Sequence, residues 1–150
     1  MNRDFKDLLS TFNANGVEYL VVGAHALAAH GHVRATKDLD VWVRPSAENA
    51  PRVLRALKDF GAPLFELSEA DLLQPGLIFQ IGVPPVRIDV ITAIDGVQFA
   101  DAWKGRVNAQ FAGVDAAVLS VDHLIANKRA AGRLQDLADV ERLEKLKRGP

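Results

Sequence analysis

Asp38 and Asp40 stand two residues apart in the run Asp38-Leu39-Asp40-Val41-Trp42-Val43, which is otherwise apolar. Residues two apart on a strand point to the same face. The two carboxylates therefore share a face, and Leu39 and Val41 are free to bury on the other. Adjacent carboxylates repel, and each raises the other's proton affinity. Without a cation between them the arrangement costs stability. A third acid, Asp89, lies inside Arg87-Ile88-Asp89-Val90-Ile91. A lone buried carboxylate in an apolar strand is costly unless it is paired or metal-bound. If this strand lies beside the first, the three acids form one cluster. Three hard oxygen donors in a chain without cysteine suit Mg2+ or Mn2+ rather than zinc. Such ions are commonly held together with substrate phosphates and neutralise charge in phosphoryl transfer. Two plainer readings stand beside this one: solvated acids on a surface strand, and a structural Asp89 paired with an arginine such as Arg87.

Those acids need a frame, and the hydrophobic spacing supplies an α/β one. Phe5, Leu8, Leu9 and Phe12 recur at helical spacing, and Asn15-Gly16 ends that helix. A strand is expected over Tyr19 to Val22, a short helix over Ala24 to Ala29 and a second strand over Leu39 to Val43. Pro45-Ser46 opens a helix carrying Val53, Leu54, Leu57 and Phe60, which Gly61 stops. Asp59 to Leu73 reads as a surface crossover. Leu77 to Ile81 and Val86 to Ile91 read as strands joined through Gly82-Val83-Pro84-Pro85. Trp103 to Phe111 is ambiguous, and Ala116 to Leu119 reads as a short strand. Ser120 caps a helix that begins at Val121, and helical sequence fills the remainder.

At 150 residues and 49% hydrophobic, the chain is long enough for one core and too short for two ordinary domains. One domain over residues 1–150 is expected. A net charge of −1 gives no whole-chain attraction to nucleic acid or an anionic membrane. Without cysteine, disulfides and thiolate zinc sites are excluded. The first residues lack a signal-peptide core, and no apolar run approaches the roughly 20 residues of a membrane span. A soluble, cytoplasmic protein is expected.

Four segments occur in order: VVGAHALAAHG, then R-x-T-x-D-x-D, then RIDV, then LIANKRAAGRLQDLADVERL. With the G-x(14)-D-x-D spacing from Gly23, this set resembles the polymerase-β-like nucleotidyltransferase superfamily. In finer detail it is similar to the small AbiEii-like transferases of toxin–antitoxin systems, over roughly Val17 to Leu143. The resemblance implies a mixed sheet flanked by helices, with a helical C-terminus. It also implies transfer of a nucleoside monophosphate from an NTP to a hydroxyl on RNA, protein or a small molecule.

Carried over residue by residue, the resemblance makes Gly23 the glycine that lets the triphosphate approach the backbone. Asp38 and Asp40 would hold metal, and Asp89 would complete the site and serve as base. Lys128 would touch the triphosphate, with Arg133 as a further candidate substrate contact and Asp136 eight residues on and near the same helical face as Lys128. Ala24 departs from the Ser or Gly common after the first glycine, so a hydroxyl contact to phosphate is lost and a backbone N–H is left to serve. His25 reads equally as a phosphate contact or a polar cap. His30 and His32 read as turn residues. Arg34 and Thr36 could position the acids or bind phosphate, or be solvated.

Lys128, Arg129 and Arg133 with Asp136, Asp139 and Glu141 read alternatively as an exposed helix face laced with weak ion pairs. Ile125, Leu134, Leu137, Val140 and Leu143 would then form the buried stripe. Three further expectations concern partners: a cognate antitoxin or a second copy of the chain, no membrane, and acceptor recognition by the Gly61 to Gly76 crossover or another protein. The rival to an active transferase is a catalytically weak nucleotide-binding or regulatory module of the same fold. A nucleic-acid-binding protein lacks the basic stripe it would need.

Overall fold

The computed structural model describes residues 1–33, 35–36, 38–83 and 86–149. The elements are α1 (Arg3–Ala14), β1 (Tyr19–Val22), α2 (Gly23–Ala29), β2 (Asp38–Val43), α3 (Asn49–Phe60), β3 (Ile78–Val83), β4 (Val86–Ile91), α4 (Phe99–Lys104), β5 (Val107–Phe111), β6 (Val114–Val118), α5 (Val121–Ala131) and α6 (Leu134–Arg148). The strands form one sheet in the order β3-β4-β2-β1-β6-β5. Its β2–β4 and β1–β6 pairs are parallel and the rest antiparallel. The expected mixed sheet flanked by helices, with a helical C-terminus, is the fold.

The local causes are those the residues predict. Asn2 caps α1 by accepting the Asp4 N–H at 2.8 Å, and Phe5, Leu8, Leu9 and Phe12 all bury. All of β1 is buried, as expected for a strand in mid-sheet. From α3, Val53 and Leu57 bury fully, while Leu54 and Phe60 pack only in part. Ser120 caps α5 by accepting the His123 N–H. No helix among the described residues is long and apolar enough to cross a membrane.

Several boundaries differ from the sequence reading. The ambiguous stretch divides at Gly105-Arg106 into the end of α4 and the start of β5. The β3–β4 pair forms with Val83 opposite Val86, and Pro84 and Pro85 lie outside the described residues. Asp59 and Phe60 belong to α3, so the crossover runs from 61 to 77 around a single 3-10 turn, anchored by buried Leu72. Leu134 and Leu137 do not join the buried stripe, being 89% and 49% exposed. Instead α6 turns Asp136, Asp139, Val140 and Leu143 inward. These positions follow the three-and-four spacing of one helical face, so the phase set by the acids leaves both leucines outside.

Lys128 and Asp136 lie on two helices rather than one. Gly132 separates α5 from α6 with φ +69°. That left-handed conformation ends a helix readily only when the residue has no Cβ.

Candidate active site

The central strands carry the acids in register. Asp40 is the partner of Asp89 across the parallel β2–β4 pair, and Asp38 is the partner of Arg87. Alternation puts Asp38, Asp40 and Trp42 on one face, while Leu39, Val41 and Val43 are wholly buried on the other. The three predicted acids are thus brought to neighbouring positions on one sheet face, as the sequence required of two adjacent strands.

Gly23 closes this site from β1. Val22 opposes Asp40 across the antiparallel β1–β2 pair, and Gly23 follows it at φ +69°. A Cβ at position 23 would lie 2.4 Å from Asp40 Oδ2. The glycine therefore makes room for the carboxylate itself, a role the sequence did not reveal.

Asp40 is pushed up to about 7, first by burial and then by the charges of Asp89 and Asp38, with Arg87 opposing. Among the described residues, Arg87 is the cation at the site. Its Nη2 lies 3.2 Å from Asp38 Oδ2 and 3.4 Å from Asp89 Oδ2, and its Nε lies 3.1 Å from Asp89 Oδ1. Among the described residues, no three acidic or histidine side chains are gathered closely enough to hold one metal ion. The donor chemistry nevertheless fits a hard divalent cation. Three carboxylates share a face, their mutual repulsion is only partly relieved, and Asp89 Oδ1 is buried without a hydrogen bond. As disposed, the carboxylates close on an arginine.

The other predicted residues fall in separate places. Ala24 is the second residue of α2 and brings no side-chain oxygen. Thr36 is exposed, and its Oγ1 accepts the Asp38 N–H at 2.9 Å, so it steadies the entry to β2. Arg34 lies outside the described residues. His25 packs edge-on between Phe5 of α1 and Phe111 of β5, at centroid distances of 5.6 and 6.2 Å. Burial lowers its proton affinity. His30 and His32 do stand at the turn that ends α2, where His30 Nε2 lies 2.8 Å from Leu119 O.

Lys128, Arg133 and Asp136 meet in a second charged cluster, between α5 and α6. Lys128 Nζ lies 3.3 Å from Asp136 Oδ1 and 3.4 Å from Asp139 Oδ2, with all three side chains nearly inaccessible. Arg133 Nε donates to Asp136 Oδ2 at 2.7 Å, and the Arg133 backbone N–H donates to the same oxygen. These hydrogen bonds from Arg133 hold the Asp136 carboxyl below the usual carboxylate range. Asp139 also faces His32 Nε2 and Gln135 Nε2, each at 3.1 Å. The exposed-face reading of these residues therefore fails for Lys128, Asp136 and Asp139. The signal for Asp139 was its spacing from Asp136 and Leu143 on one helical face.

Beyond Asp40 the same sheet face continues to Trp42 and Arg44. There a cavity is bounded by Trp42, Arg44, Thr92, Phe99 and, from the crossover, Pro75. Arg44 lies over the Phe99 ring at 4.8 Å and is ion-paired to Glu18. The Trp42 indole N–H is buried without a partner.

A glycine-ended strand, a D-x-D strand and a third acid on the adjoining parallel strand stand together as the motif resemblance implies. The chain belongs to the family described as nucleotidyltransferases of unknown function (DUF6036), whose profile matches residues 3–148. Among proteins with curated descriptions, none matches the sequence. Two solved structures share the fold. A candidate nucleotidyltransferase from Thermotoga maritima is 17% identical with a TM-score of 0.61, covering 97% of this chain and 89% of its own. The lincosamide antibiotic adenylyltransferase LnuA, solved with lincomycin, is 13% identical with a TM-score of 0.62, covering 97% of this chain and 98% of its own.

Proposed function

We propose that residues 1–150 form one nucleotidyltransferase domain that moves a nucleoside monophosphate from an NTP, such as ATP, to a hydroxyl acceptor. The reading rests on the in-register Asp40–Asp89 pair with Asp38 next on the same face, within a nucleotidyltransferase family. Asp38, Asp40 and Asp89 would hold Mg2+ or Mn2+, which when bound would offset the charge developing on the phosphates. The acceptor oxygen bonds to the α-phosphorus as the bond to the β-phosphate bridging oxygen breaks, and pyrophosphate leaves. Asp89 takes the acceptor's proton. Its Oδ1 now faces Arg87 Nε at 3.1 Å, so this task requires the guanidinium to turn away.

Gly23 and the backbone of Ala24 border the triphosphate in this reading, with Thr36 at the entrance to β2, and Arg34 is proposed as a phosphate contact from its place in the sequence motif alone. Lys128 balances triphosphate charge. Because Asp136 and Asp139 already pair it, that contact requires the α5–α6 cluster, Arg133 included, to re-pair on nucleotide binding. His25 acts through the packing of α2, since its ring is held between two phenylalanines.

The acceptor is a tRNA end, a protein side chain or a small molecule, recognised in the cavity beside Trp42 where the crossover contributes Pro75. The likeness of the four motif segments to AbiEii-like transferases supports a cytoplasmic toxin–antitoxin setting with a cognate antitoxin. Incubation with each α-labelled NTP, Mg2+ or Mn2+, total RNA and cell extract tests the reaction. Label should move to an acceptor and be lost in the Asp38→Ala, Asp40→Ala variant. Transfer by that variant would falsify the assignment.

One observation favours a second reading, a nucleotide-binding regulatory module. Arg87 already closes on two of the three acids, and no serine follows Gly23. Metal-dependent NTP binding without turnover on any acceptor would select it.

A further inference from the structure

We propose that Arg87 is the resting counter-ion of the acidic site and competes with the divalent cation for Asp38 and Asp89. The inference rests on the metal-dependent reading above.

One guanidinium spans both carboxylates, reaching Asp38 Oδ2 through Nη2 and Asp89 Oδ1 through Nε, at 3.2 and 3.1 Å. Arg87 occupies the β4 position in register with Asp38 and two residues before Asp89, so its side chain rises on the acid-bearing face. Its planar fork, charged at every working pH, can engage two acids at once, which a lysine does less well.

The pairing satisfies the site only in part. Of the three acids, Asp38 and Asp89 are ion-paired to Arg87, and Asp40 is not. Arg87 Nε and Asp89 Oδ1 are close in charge terms yet neither makes a hydrogen bond. Among the described residues, the guanidinium pairs two of the three acids and leaves Asp40 without an ion pair. It is also placed to leave, since its side chain is 30% exposed while that of Asp89 is 13% exposed. A divalent ion brings twice the charge to the same oxygens and would turn Arg87 outward to solvent or substrate.

The sign of the effect separates this role from simple support. If Arg87 only braced the acids in a ligating geometry, removing it would weaken metal binding. If it competes, removal leaves the part-buried Asp38 and Asp89 carboxylates without their guanidinium, and a cation then binds more tightly. Mn2+ binding would be measured by calorimetry on the whole chain for wild type, Arg87→Gln and Arg87→Lys, with melting temperatures with and without Mn2+.

Arg87→Gln should bind Mn2+ about tenfold more tightly than wild type, with Arg87→Lys between them. Arg87→Gln should also melt lower without metal and gain more on its addition. A second measurement needs no folded variant: the wild-type Arg87 Nε–H resonance should shift as Mg2+ is titrated. Unchanged or weaker Mn2+ affinity in Arg87→Gln, or an Arg87 resonance unmoved at saturating Mg2+, overturns the proposal and leaves the transferase reading standing. Absence of Mn2+ binding in every variant overturns the metal-dependent reading and this proposal with it.

Discussion

The Asp40 carboxylate fills the space that a side chain at Gly23 would need: a Cβ there would stand 2.4 Å from Asp40 Oδ2. Gly23→Ala therefore meets two penalties, a clash with a site carboxylate and a left-handed φ that alanine resists. The variant should lose about 1–3 kcal/mol in urea unfolding. It should also lose nucleotide transfer out of proportion to that loss, because Asp40 must move. Full activity in a folded Gly23→Ala protein would show that Asp40 need not hold this position.

Asp40 also sets a pH dependence. Its proton affinity is raised to about 7 in the fold, whereas in the unfolded chain it titrates in the ordinary carboxylate range near 3.8. Between those values the folded state binds a proton the unfolded state lacks. This contribution to stability therefore falls as pH rises from about 4 to about 7. Asp40→Asn removes it. In EDTA the variant should match wild type near pH 4 and exceed it near pH 8 by on the order of 2 kcal/mol, once partial exposure is allowed for. Urea midpoints across that range check this, and an advantage that does not grow with pH sinks it.

Lys128 ties α5 to α6 through two buried carboxylates. Lys128→Ala leaves both partly uncompensated and should cost about 3 kcal/mol or more. Asp136→Asn combined with Lys128→Met should recover part of that loss, since charge is then removed from both sides. Comparing KM for NTP in the double variant with wild type separates a structural lysine from one that also meets triphosphate. An unchanged KM leaves the structural role alone.

Asn49 pins the base of the site strands. It is buried, accepts the Glu18 N–H at 2.8 Å and donates to Glu18 O and Arg44 O at 3.0 Å. Asn49→Leu would strand the Glu18 N–H, since Glu18 O keeps the Arg44 N–H at 3.1 Å and Arg44 O keeps the Ser46 N–H at 3.0 Å, at a cost of about 1–3 kcal/mol. Hydrogen exchange should quicken at the Glu18 amide before the rest of β1. Equal protection in the variant would show that the side chain is not the anchor.

What the sequence determined is whatever depends on local spacing. The alternation of Asp38, Leu39, Asp40 and Val41 assigned faces before any fold was known, because a strand has period two. Helical spacing in Phe5-Leu8-Leu9-Phe12 and the cap at Ser120 did the same for α1 and α5. The ordered motif segments pointed to the nucleotidyltransferase superfamily, and residues 3–148 match a nucleotidyltransferase family. Tertiary structure decided the rest, because it depends on which elements meet. Asp40 faces Asp89 only through the parallel β2–β4 register. Arg87 was a nameable partner for Asp89, yet its bridge to Asp38 needs two strands side by side. Lys128 and Asp136 read as substrate contacts or, with Asp139, as a solvated face, since no local rule distinguishes an exposed charge from one buried against an oppositely charged neighbour. The Gly132 turn and the phase of α6 made that choice, burying the acids and leaving Leu134 and Leu137 outside.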